Sequence, residues 1–343
     1  MIVLKKLASY LSGAFLFSAV ALFIVFSREA RSGALNGIKL CESVILPSLL
    51  PLLIISNLIM KSRAHSVIEA VFGRAFEKLF RLPRCASGAV LLGLTGGYPA
   101  GAVLTSDLFE KGLIDRGTAK RIMSFNFSGG FAFIITAVGS VIYKSSKTGL
   151  LLFLSSIASS LIILALTAFK SPKIKKNNRI INYLPFSEAL PEAVESSVLA
   201  LAFMSAYIII FSSVLKIINP PQIIMPFIEI TTGICVSDNP LPLEYCAFFL
   251  SFGGICIHFQ LLGMLKKMKI PYSYFLITRT AGAGLSFLIM KLLTFLFPQA
   301  AAVSKSITGG VEFTSGNLTF SLLMIIGCAV IVFDIENRKI KLI

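Results

Sequence analysis

The sequence predicts an all-α, polytopic integral membrane protein with about 7–9 transmembrane or re-entrant helices. Its mean hydropathy is +0.86, and 56% of its 343 residues are hydrophobic. Only 14% of the residues are charged, whereas a soluble domain usually carries about a quarter. The apolar residues fall into long runs, and a helix needs about 20 of them to cross the hydrocarbon core. No remaining stretch is large enough to form a soluble catalytic domain.

Nine apolar runs set the order of the predicted helices. They span residues 7–26, 41–60, 86–108, 122–143, 149–169, 198–218, 243–265, 272–293 and 316–332. Lys5 and Lys6 precede the first run, as in a signal peptide. That run has about 20 residues, however, and the apolar core of a signal peptide has roughly 7–15. We therefore predict that it is an uncleaved transmembrane helix.

The net charge of +16 comes from 32 lysines and arginines against 16 acidic residues. Most basic residues lie between apolar runs, as expected for cytoplasmic loops. This distribution indicates membrane topology and excludes nucleic acid as a partner, because no basic face carries interleaved aromatic residues. The polar linker 170–192 is predicted to be cytoplasmic because of its basic residues, which are Lys170, Lys173, Lys175, Lys176 and Arg179.

The sequence has few of the residues and motifs that form metal sites and enzyme active sites. Six scattered cysteines form no C-x-x-C pair and are interpreted as small buried hydrophobic side chains. Two histidines are too few for a histidine-rich metal site. The motifs H-E-x-x-H, G-x-S-x-G and G-x-x-x-x-G-K-[ST] are absent from the sequence. We therefore predict no catalytic residue, no metal and no organic cofactor.

The linker divides the chain into two halves of similar order. The predicted parts are an N-terminal transmembrane helix (1–36), a first half (37–169), the linker (170–192), a second half (193–335) and a basic tail (336–343). Each half has a helix, a glycine-rich segment and two further helices. In this pairing Gly96-Gly97 matches Gly253-Gly254, and residues 126–130 match 279–284. Paired interrupted segments are typical of inverted-repeat transporters and of their binding sites.

The topology of the glycine-rich segments has two solutions. If both are broken, re-entrant hairpins, each half has three crossings and the halves are inverted. Lys266, Lys267 and Lys269 would then lie outside, against the positive-inside rule. A full crossing at residues 243–265 satisfies the charges but removes the inversion. We take the two hairpins as the prediction.

The first glycine-rich segment is the leading candidate for a binding site. Pro99 lies beside Gly96, Gly97, Tyr98 and Gly101, and a proline removes a backbone donor from a helix. Broken backbone at membrane depth persists only where it is buried in protein or lines a wet cavity. An unwound tip of this kind can contact a polar solute through free amides. The alternative is helix packing through glycines spaced four residues apart.

The second glycine-rich segment combines Gly253 and Gly254 with His258 and Gln260. Polar groups are costly in lipid, so both side chains are expected to face the interior of the bundle. There they would either contact a solute or only join two helices.

Three further groups of polar residues complete the candidate site. Asn126 and Ser128, followed by Gly129, would bind a solute or bridge two helices. Glu229, with Thr231 and Thr232, would couple a proton or a cation, or would lie at the interface in water.

Arg279 lies within a predicted helix, where it would be a counter-ion for an anionic substrate or a side chain that snorkels to the interface.

Three of these segments point to a known family. They are Gly96-Gly97-Tyr98-Pro99-Ala100-Gly101, Asn126-Phe127-Ser128-Gly129, and Glu229-Ile230-Thr231-Thr232-Gly233 followed by residues 252–260. In sequence and order they resemble the nucleoside-recognition (Gate) domain membrane family, and within it the YlbJ-like sporulation integral membrane proteins. Phe127 departs from the family pattern, which has a second polar residue at this position.

The resemblance implies a multi-pass protein of a bacterial cell membrane, such as the outer forespore membrane, that moves a small solute during sporulation. For the YlbJ-like group the implied solute is dipicolinate, a planar dianion. Arg279 and neutral donors such as Asn126, Ser128 and Gln260 suit such a dianion. A nucleoside is the alternative solute, because nucleoside transporters carry the same family helices.

Taken together, the sequence favours a transporter or facilitator of a small, anionic organic metabolite. Its expected partners are this solute, the lipid bilayer and a coupling ion, either a proton or sodium. A homo-oligomer or contacts with other sporulation membrane proteins are further expectations. The alternative is a non-transporting membrane assembly protein of sporulation, in which the glycines serve only as packing surfaces.

Overall fold

A computed structural model describes residues 2–169, 183–235 and 240–298, together with Ile326. Within these residues the chain is helical apart from turns, short connections and one isolated bridge between Ser62 and Leu184. The helices are α1 (Ile2–Val25), α2 (Ser27–Leu40), α3 (Leu46–Lys61), α4 (Ala64–Phe80), α5 (Ala86–Gly96), α6 (Ala100–Glu110), α7 (Arg116–Phe125), α8 (Ser146–Phe169), α9 (Phe186–Ile218), α10 (Met225–Ile228), α11 (Ile230–Cys235), α12 (Leu243–Phe252), α13 (Gly254–Lys267) and α14 (Tyr272–Leu296). A π-helical turn, Cys41–Ile45, joins α2 to α3, and a π-helix, Phe133–Ile142, precedes α8.

Five described helical stretches are long and apolar enough to cross a membrane. They are Ser27–Lys61, Ser146–Phe169, Phe186–Ile218, Leu243–Lys267 and Tyr272–Leu296. Shorter apolar helices, including α5 and the π-helix, accompany them. The prediction of an all-α, polytopic membrane protein is confirmed.

One end of the bundle, which we call the linker side, is marked by ion pairs between sequence-distant elements. Lys61 at the end of α3 lies 3.1 Å from Glu192 near the start of α9. Lys267 at the end of α13 lies 3.3 Å from Glu110 at the end of α6. Tyr183, the first described residue of the linker, belongs to the same end, since its hydroxyl lies 3.4 Å from His65 Nδ1 at the start of α4.

The opposite side is marked by contacts at the other ends of these helices. The hydroxyl of Tyr143, just after the π-helix, donates to the carbonyl of Leu241, just before α12. Thr294 near the end of α14 donates to Glu244 at the start of α12, over 3.2 Å. Each long helix therefore has one end on each side, as a membrane crossing requires.

The first half contains two full crossings, one hairpin and one broken crossing. The stretch α2–α3 crosses to the linker side, where α4 follows. Helices α5 and α6 form the first hairpin, which enters and leaves on the linker side, because the Cys85 thiol before α5 lies 3.8 Å from the Leu113 carbonyl after α6. Helix α7 and the π-helix then cross in two pieces that are separated by residues 126–132, and α8 crosses back.

The second half has the same order in the opposite direction. Helix α9 crosses away from the linker side, and α10 and α11 form a short second hairpin. A Cβ added at Gly233 of α11 would lie 2.4 Å from the nitrogen of Pro226 in α10, so the two arms touch. Helices α12 and α13 cross in two pieces, and α14 crosses back. The two halves are thus an inverted repeat, the architecture of many secondary transporters.

The predicted position of the second hairpin is wrong. Residues 243–267 do not turn back at Gly253-Gly254, since Glu244 lies on the opposite side and Lys267 on the linker side. The segment is a broken crossing that corresponds to residues 116–142 of the first half. Its lysines therefore lie with the other basic loops, and the inversion survives because α10–α11 provide the second hairpin. The predicted match between residues 126–130 and 279–284 is also wrong, because Arg279 and Gly284 lie within the continuous helix α14.

Equivalent helices of the two halves pack against each other in antiparallel pairs. Helix α2 packs on α9, where a Cβ at Gly33 would lie 2.5 Å from the Ser212 carbonyl oxygen. Helix α8 packs on α14, where Ser159 donates to the carbonyl of Gly282 over 2.7 Å. Small residues at such contacts allow the backbones to approach closely.

Several predicted segments lie wholly or partly outside the described residues. They are most of the basic linker (residues 170–182), the run 316–332 apart from Ile326, and the tail 336–343. Helix α2 continues through the boundary predicted at residues 36 and 37. The domain limits stay predictions.

Candidate functional site

The tip of the first hairpin packs on the break of its own half through glycine backbone. Gly97 has φ +77°, a conformation that only glycine adopts readily. A Cβ at this position would lie 2.1 Å from the amide nitrogen of Gly130. The neighbouring amide of Tyr98 donates to the carbonyl of Ser128 over 2.9 Å. This contact joins the two unwound segments of the first half, and Pro99 then precedes α6.

The arms of the first hairpin enclose Asn126. A Cβ at Gly93 would lie 2.4 Å from the side-chain nitrogen of Asn126. A Cβ at Gly101 would lie 2.4 Å from the backbone carbonyl oxygen of Asn126. The side-chain amide donates to the carbonyl of Ala89 over 2.9 Å. The glycines of this segment therefore serve close packing as well as the break. A Cβ at the nearby Gly96 would lie 3.1 Å from Ala100.

The second hairpin meets the break between α12 and α13. Gly254 has φ +66°, and a Cβ there would lie 2.9 Å from the carbonyl oxygen of Pro226. Gly253 has φ +92°, and a Cβ there would lie 3.1 Å from the ring of Phe127. Each hairpin thus packs on the break of its own half, and the second break touches the first.

The two breaks meet at an interface that we call the junction. It comprises residues 97–99, 126–130, 229 and 252–254, with Arg279. The hydroxyl of Tyr98 lies 3.4 Å from the carbonyl of Leu250, and its ring lies 5.0 Å from that of Phe127. A Cβ at Gly129 would lie 3.6 Å from Leu250. The junction therefore connects the first hairpin to the second half.

Arg279 extends from α14 into the junction. It is only 2% exposed, so the prediction of a snorkelling side chain is wrong. Its guanidinium donates to the carbonyls of Ser124 and Phe127, at the C-terminus of α7, and lies 5.2 Å from the Phe127 ring. These carbonyls carry the negative end of the helix dipole. Among the described residues, no carboxylate lies within 4.0 Å of Arg279.

Three buried polar atoms at the junction have no hydrogen-bond partner among the described residues. They are Asn126 Oδ1, Ser128 Oγ and Arg279 Nε. Asn126 is fully buried and Ser128 is 1% exposed. Buried polar atoms normally have partners, so these three atoms make the junction the candidate site.

Glu229, between α10 and α11, is fully buried, so the interfacial alternative is wrong. One of its carboxylate oxygens accepts from the amide of Thr231 over 2.9 Å, and the other accepts from the amide of Thr232. The Thr232 hydroxyl in turn lies 2.7 Å from that of Ser212 in α9. The carboxylate therefore caps the start of its own short helix, and both threonines face other protein groups.

His258 and Gln260 lie in α13, and neither bonds to one of the three unpartnered atoms. His258 Nε2 lies 3.0 Å from the carbonyl of Phe252, so this nitrogen is the donor. Its Nδ1 lies 3.0 Å from the hydroxyl of Tyr272 and accepts from it in the neutral ring. Gln260 is half-buried and donates to the Cys256 sulfur over 3.4 Å. His258 thus joins α12, α13 and α14, and Gln260 does not reach the junction.

The sequence missed the second hairpin, although Pro226 and Gly233 bracket Glu229 as Pro99 and Gly93 bracket the first tip. It also missed the role of Phe127, whose ring contacts Tyr98, Phe275 and Arg279. For metals, no group of three or more His, Cys, Asp and Glu side chains occurs in the described part of the chain.

Comparison with known proteins gives one curated relative. The chain is 25% identical over 327 aligned residues to the Sporulation integral membrane protein YlbJ of Bacillus subtilis (strain 168), and the match covers 80% of each protein. No family model matches the chain, so the resemblance to the Gate domain stays a prediction. No solved structure matches it either. The chain is therefore a multi-pass membrane protein that is homologous to a sporulation integral membrane protein.

Proposed function

We propose that this protein transports a small, anionic organic solute across a bacterial membrane during sporulation, and that the solute binds at the junction. The observation that carries the proposal is the set of three buried, unpartnered atoms of Asn126, Ser128 and Arg279. A buried arginine without a carboxylate partner leaves a net positive charge in a medium of low dielectric constant. An anion would supply the missing counter-charge.

The architecture supports movement around this site. In transporters with inverted repeats, substrate sites lie where the repeats meet, near broken helices, and one part rocks against the other. Here both hairpin tips and both breaks meet at the junction, while equivalent crossings pack in antiparallel pairs. Gly97 and Gly130 are in close backbone contact, so the first hairpin must move away from the break to admit a solute.

The chemistry of the junction favours a planar carboxylate such as dipicolinate. Arg279 Nε is a charged donor for a carboxylate, and the Ser128 hydroxyl is a neutral one. The unpartnered atom of Asn126 is its side-chain carbonyl oxygen, an acceptor, while its amide group donates to Ala89. The Tyr98 and Phe127 rings lie beside these groups and provide an aromatic surface. A nucleoside would use the same ring surface and the Asn126 oxygen, but it lacks a negative charge for Arg279.

The coupling ion is part of the proposal, with a proton or sodium as candidates. Glu229 is the acidic residue of the second hairpin, and both of its oxygens accept backbone hydrogen bonds. A bound proton or sodium ion would therefore compete with these backbone hydrogen bonds. By the positive-inside rule we place the linker side in the cytoplasm.

Close packing of the junction favours the second candidate function, a non-transporting assembly protein of sporulation. If the glycines only pack helices, their contacts need never open.

Labelled dipicolinate, nucleosides and simple dicarboxylates should be offered to purified protein in liposomes, with and without proton or sodium gradients.

Saturable uptake of dipicolinate, lost in Gly97→Leu, would support transport through the junction. Gly263→Leu is the matched control, because a Cβ at Gly263 meets no atom within 4 Å. Absence of uptake for every solute by well-folded protein would favour the assembly function. Saturable uptake of nucleosides alone would retain the transporter and reject the anionic solute.

A further inference from the structure

An apolar pocket lies behind the second hairpin, on the side of Phe227. Its walls come from the first arm of that hairpin, from α12 and from α14, and they include Phe227, Tyr245, Phe248, Phe249, Gly284 and Leu288. The volume is about 540 Å³, within the range of about 300–1,000 Å³ that is usual for ligand pockets. Phe227 lies two residues before Glu229 and contacts Phe249 with ring centroids 4.6 Å apart.

The lining of this pocket presents no polar surface. A carboxylate or a nucleoside would lose its hydration there and gain no hydrogen bond, which is strongly unfavourable. The pocket therefore cannot hold the solute that we propose for the junction. It suits a ligand made of hydrocarbon.

The pocket opens on the flank of α14 that faces away from the bundle. Leu288 at its rim is 62% exposed, and Leu292 and Phe295 on the same helix are 56% and 81% exposed. Helix α14 is long and apolar enough to span a membrane, so we expect this exposed flank to face lipid chains. The pocket is continuous with the lipid interface, and its inner wall is the buried Phe249.

Gly284 keeps the pocket open. A Cβ added there would meet no atom within 4 Å, so a larger side chain would enter free space without clashing. At Gly282, two residues earlier in α14, an added Cβ would instead lie 3.1 Å from Ile163 of α8. The two glycines therefore differ, since Gly282 packs against α8 and Gly284 faces the pocket.

We propose that this pocket binds a hydrocarbon chain of a membrane lipid, drawn from the leaflet on the opposite side. Glu244 marks the opposite side, and Tyr245 of the pocket is the next residue. The pocket is therefore at the depth of the acyl chains of the leaflet on that side. A bound chain would contact Phe227 and so pack against the second hairpin from behind. The proposal does not depend on what passes through the junction.

The test uses the absence of tryptophan from the chain. A Leu288→Trp variant reports from the rim of the pocket, and Leu292→Trp reports from lipid-exposed surface outside its lining. Each variant, purified in detergent, is titrated with a phosphatidylcholine that carries bromine atoms on its acyl chain, and quenching of fluorescence is measured. We expect quenching that saturates for Leu288→Trp and a shallow, non-saturating decline for Leu292→Trp.

The second part of the experiment fills the pocket with a larger side chain. Adding Gly284→Leu to Leu288→Trp should abolish the saturable quenching, whereas adding Gly263→Leu should leave it unchanged. Three results would overturn the proposal: the same shallow decline at both tryptophans, saturation that survives Gly284→Leu, or no quenching at residue 288 while residue 292 is quenched. The last result would mean that protein, from this chain or a second copy, covers the pocket. None of these readouts requires transport, so they are independent of the function proposed for the junction.

Discussion

Both hairpins meet their breaks at a glycine, but the polar groups at the two contacts differ. The break at the first hairpin leaves polar atoms without partners, whereas the second hairpin carries a buried carboxylate whose oxygens are bonded within the hairpin. At the first contact, Gly97 approaches Gly130, and Asn126 Oδ1 and Ser128 Oγ are left without partners. At the second, the oxygens of Glu229 are bonded to the amides that follow them. The unpartnered polar atoms therefore lie in the first half and on Arg279, which reaches it from α14.

This difference assigns separate roles to the two halves. A contact with unsatisfied donors and acceptors gains free energy when a polar ligand arrives, whereas a satisfied contact loses hydrogen bonds when it opens. We infer that the first hairpin and its break bind the solute, while the second hairpin keeps its shape around Glu229. Variants of matched positions in the two halves can test this inference.

The largest effect on uptake is expected from Gly97→Ala. Its Cβ would lie 2.1 Å from Gly130, and the positive φ adds strain of about 1–3 kcal/mol. The tip can no longer seat on the break, so uptake in liposomes should fall to background. The matched variant is Gly254→Ala, whose Cβ would lie 2.9 Å from the Pro226 oxygen. Equal loss in both variants, with both folded, would contradict the assignment of binding to the first half.

Much of the fold follows from residue patterns that have direct physical causes. The long apolar runs predict the crossings because lipid imposes a minimum helix length. Pro99 with Gly97 correctly predicts the broken first hairpin. The second hairpin could not be located, because its arms are too short for a periodic signal: α10 has 4 residues and α11 has 6. The sequence predicts a hairpin tip at Gly253-Gly254, because a tip and a break in the middle of a crossing need the same glycines.

The residues of the candidate site are partly predictable from the cost of placing polar side chains in lipid. Asn126, Ser128 and Arg279 stand out because polar side chains are costly in lipid, and all three lie at the junction. Gln260 stands out equally, yet it bonds to Cys256 within its own helix. Whether a polar side chain is satisfied locally depends on its rotamer and neighbours, which sequence spacing alone does not specify. The cap formed by Glu229 is likewise visible only in three dimensions.

The second-largest effect is expected from Arg279→Gln. The substitution removes the buried positive charge and two hydrogen bonds from a charged donor, each worth about 1.5–3 kcal/mol. Uptake of dipicolinate should fall by about two orders of magnitude, and the melting temperature should drop. Arg279→Lys keeps the charge without the planar fork and should retain part of the uptake.

The measurement for Arg279 is initial uptake rate against solute concentration, with thermal unfolding measured in the same detergent. If Arg279→Gln and Arg279→Lys lose uptake equally, the arginine acts only as a cap on α7. Uptake of a neutral nucleoside that survives in Arg279→Gln would separate the charge from the cap.

A smaller effect is expected from Ser128→Ala. The Ser128 hydroxyl has no partner among the described residues, so its removal should leave the melting temperature unchanged or slightly raised. If it bonds to the solute, KM for uptake should rise about fivefold to tenfold, equivalent to about 1–1.5 kcal/mol. The control is Ser124→Ala, since the Ser124 hydroxyl already donates to the Arg121 carbonyl over 2.6 Å. It should lower stability and leave KM unchanged, and the reverse pattern would remove Ser128 from the site.

The smallest effect on uptake is expected from Glu229→Gln. The amide keeps one carbonyl acceptor for the backbone of α11, so the cap should weaken by about 1 kcal/mol and the melting temperature should fall slightly. Glu229→Ala leaves the amides of Thr231 and Thr232 buried without acceptors and should cost more, about 1–3 kcal/mol for each. Since we propose that the solute binds to the first half, we expect neither variant to change KM as much as Ser128→Ala does.

Uptake under an imposed proton gradient tests whether the second hairpin keeps its shape or takes part in coupling. If the second hairpin only keeps its shape, Glu229→Gln should accumulate solute to the same level as the unmodified protein under an imposed gradient. If accumulation disappears while exchange of solute at equal concentrations continues, Glu229 couples the proton. The hydrogen bonds of the α11 cap would then change in each transport cycle, and the second hairpin would take part in the movement instead of keeping its shape.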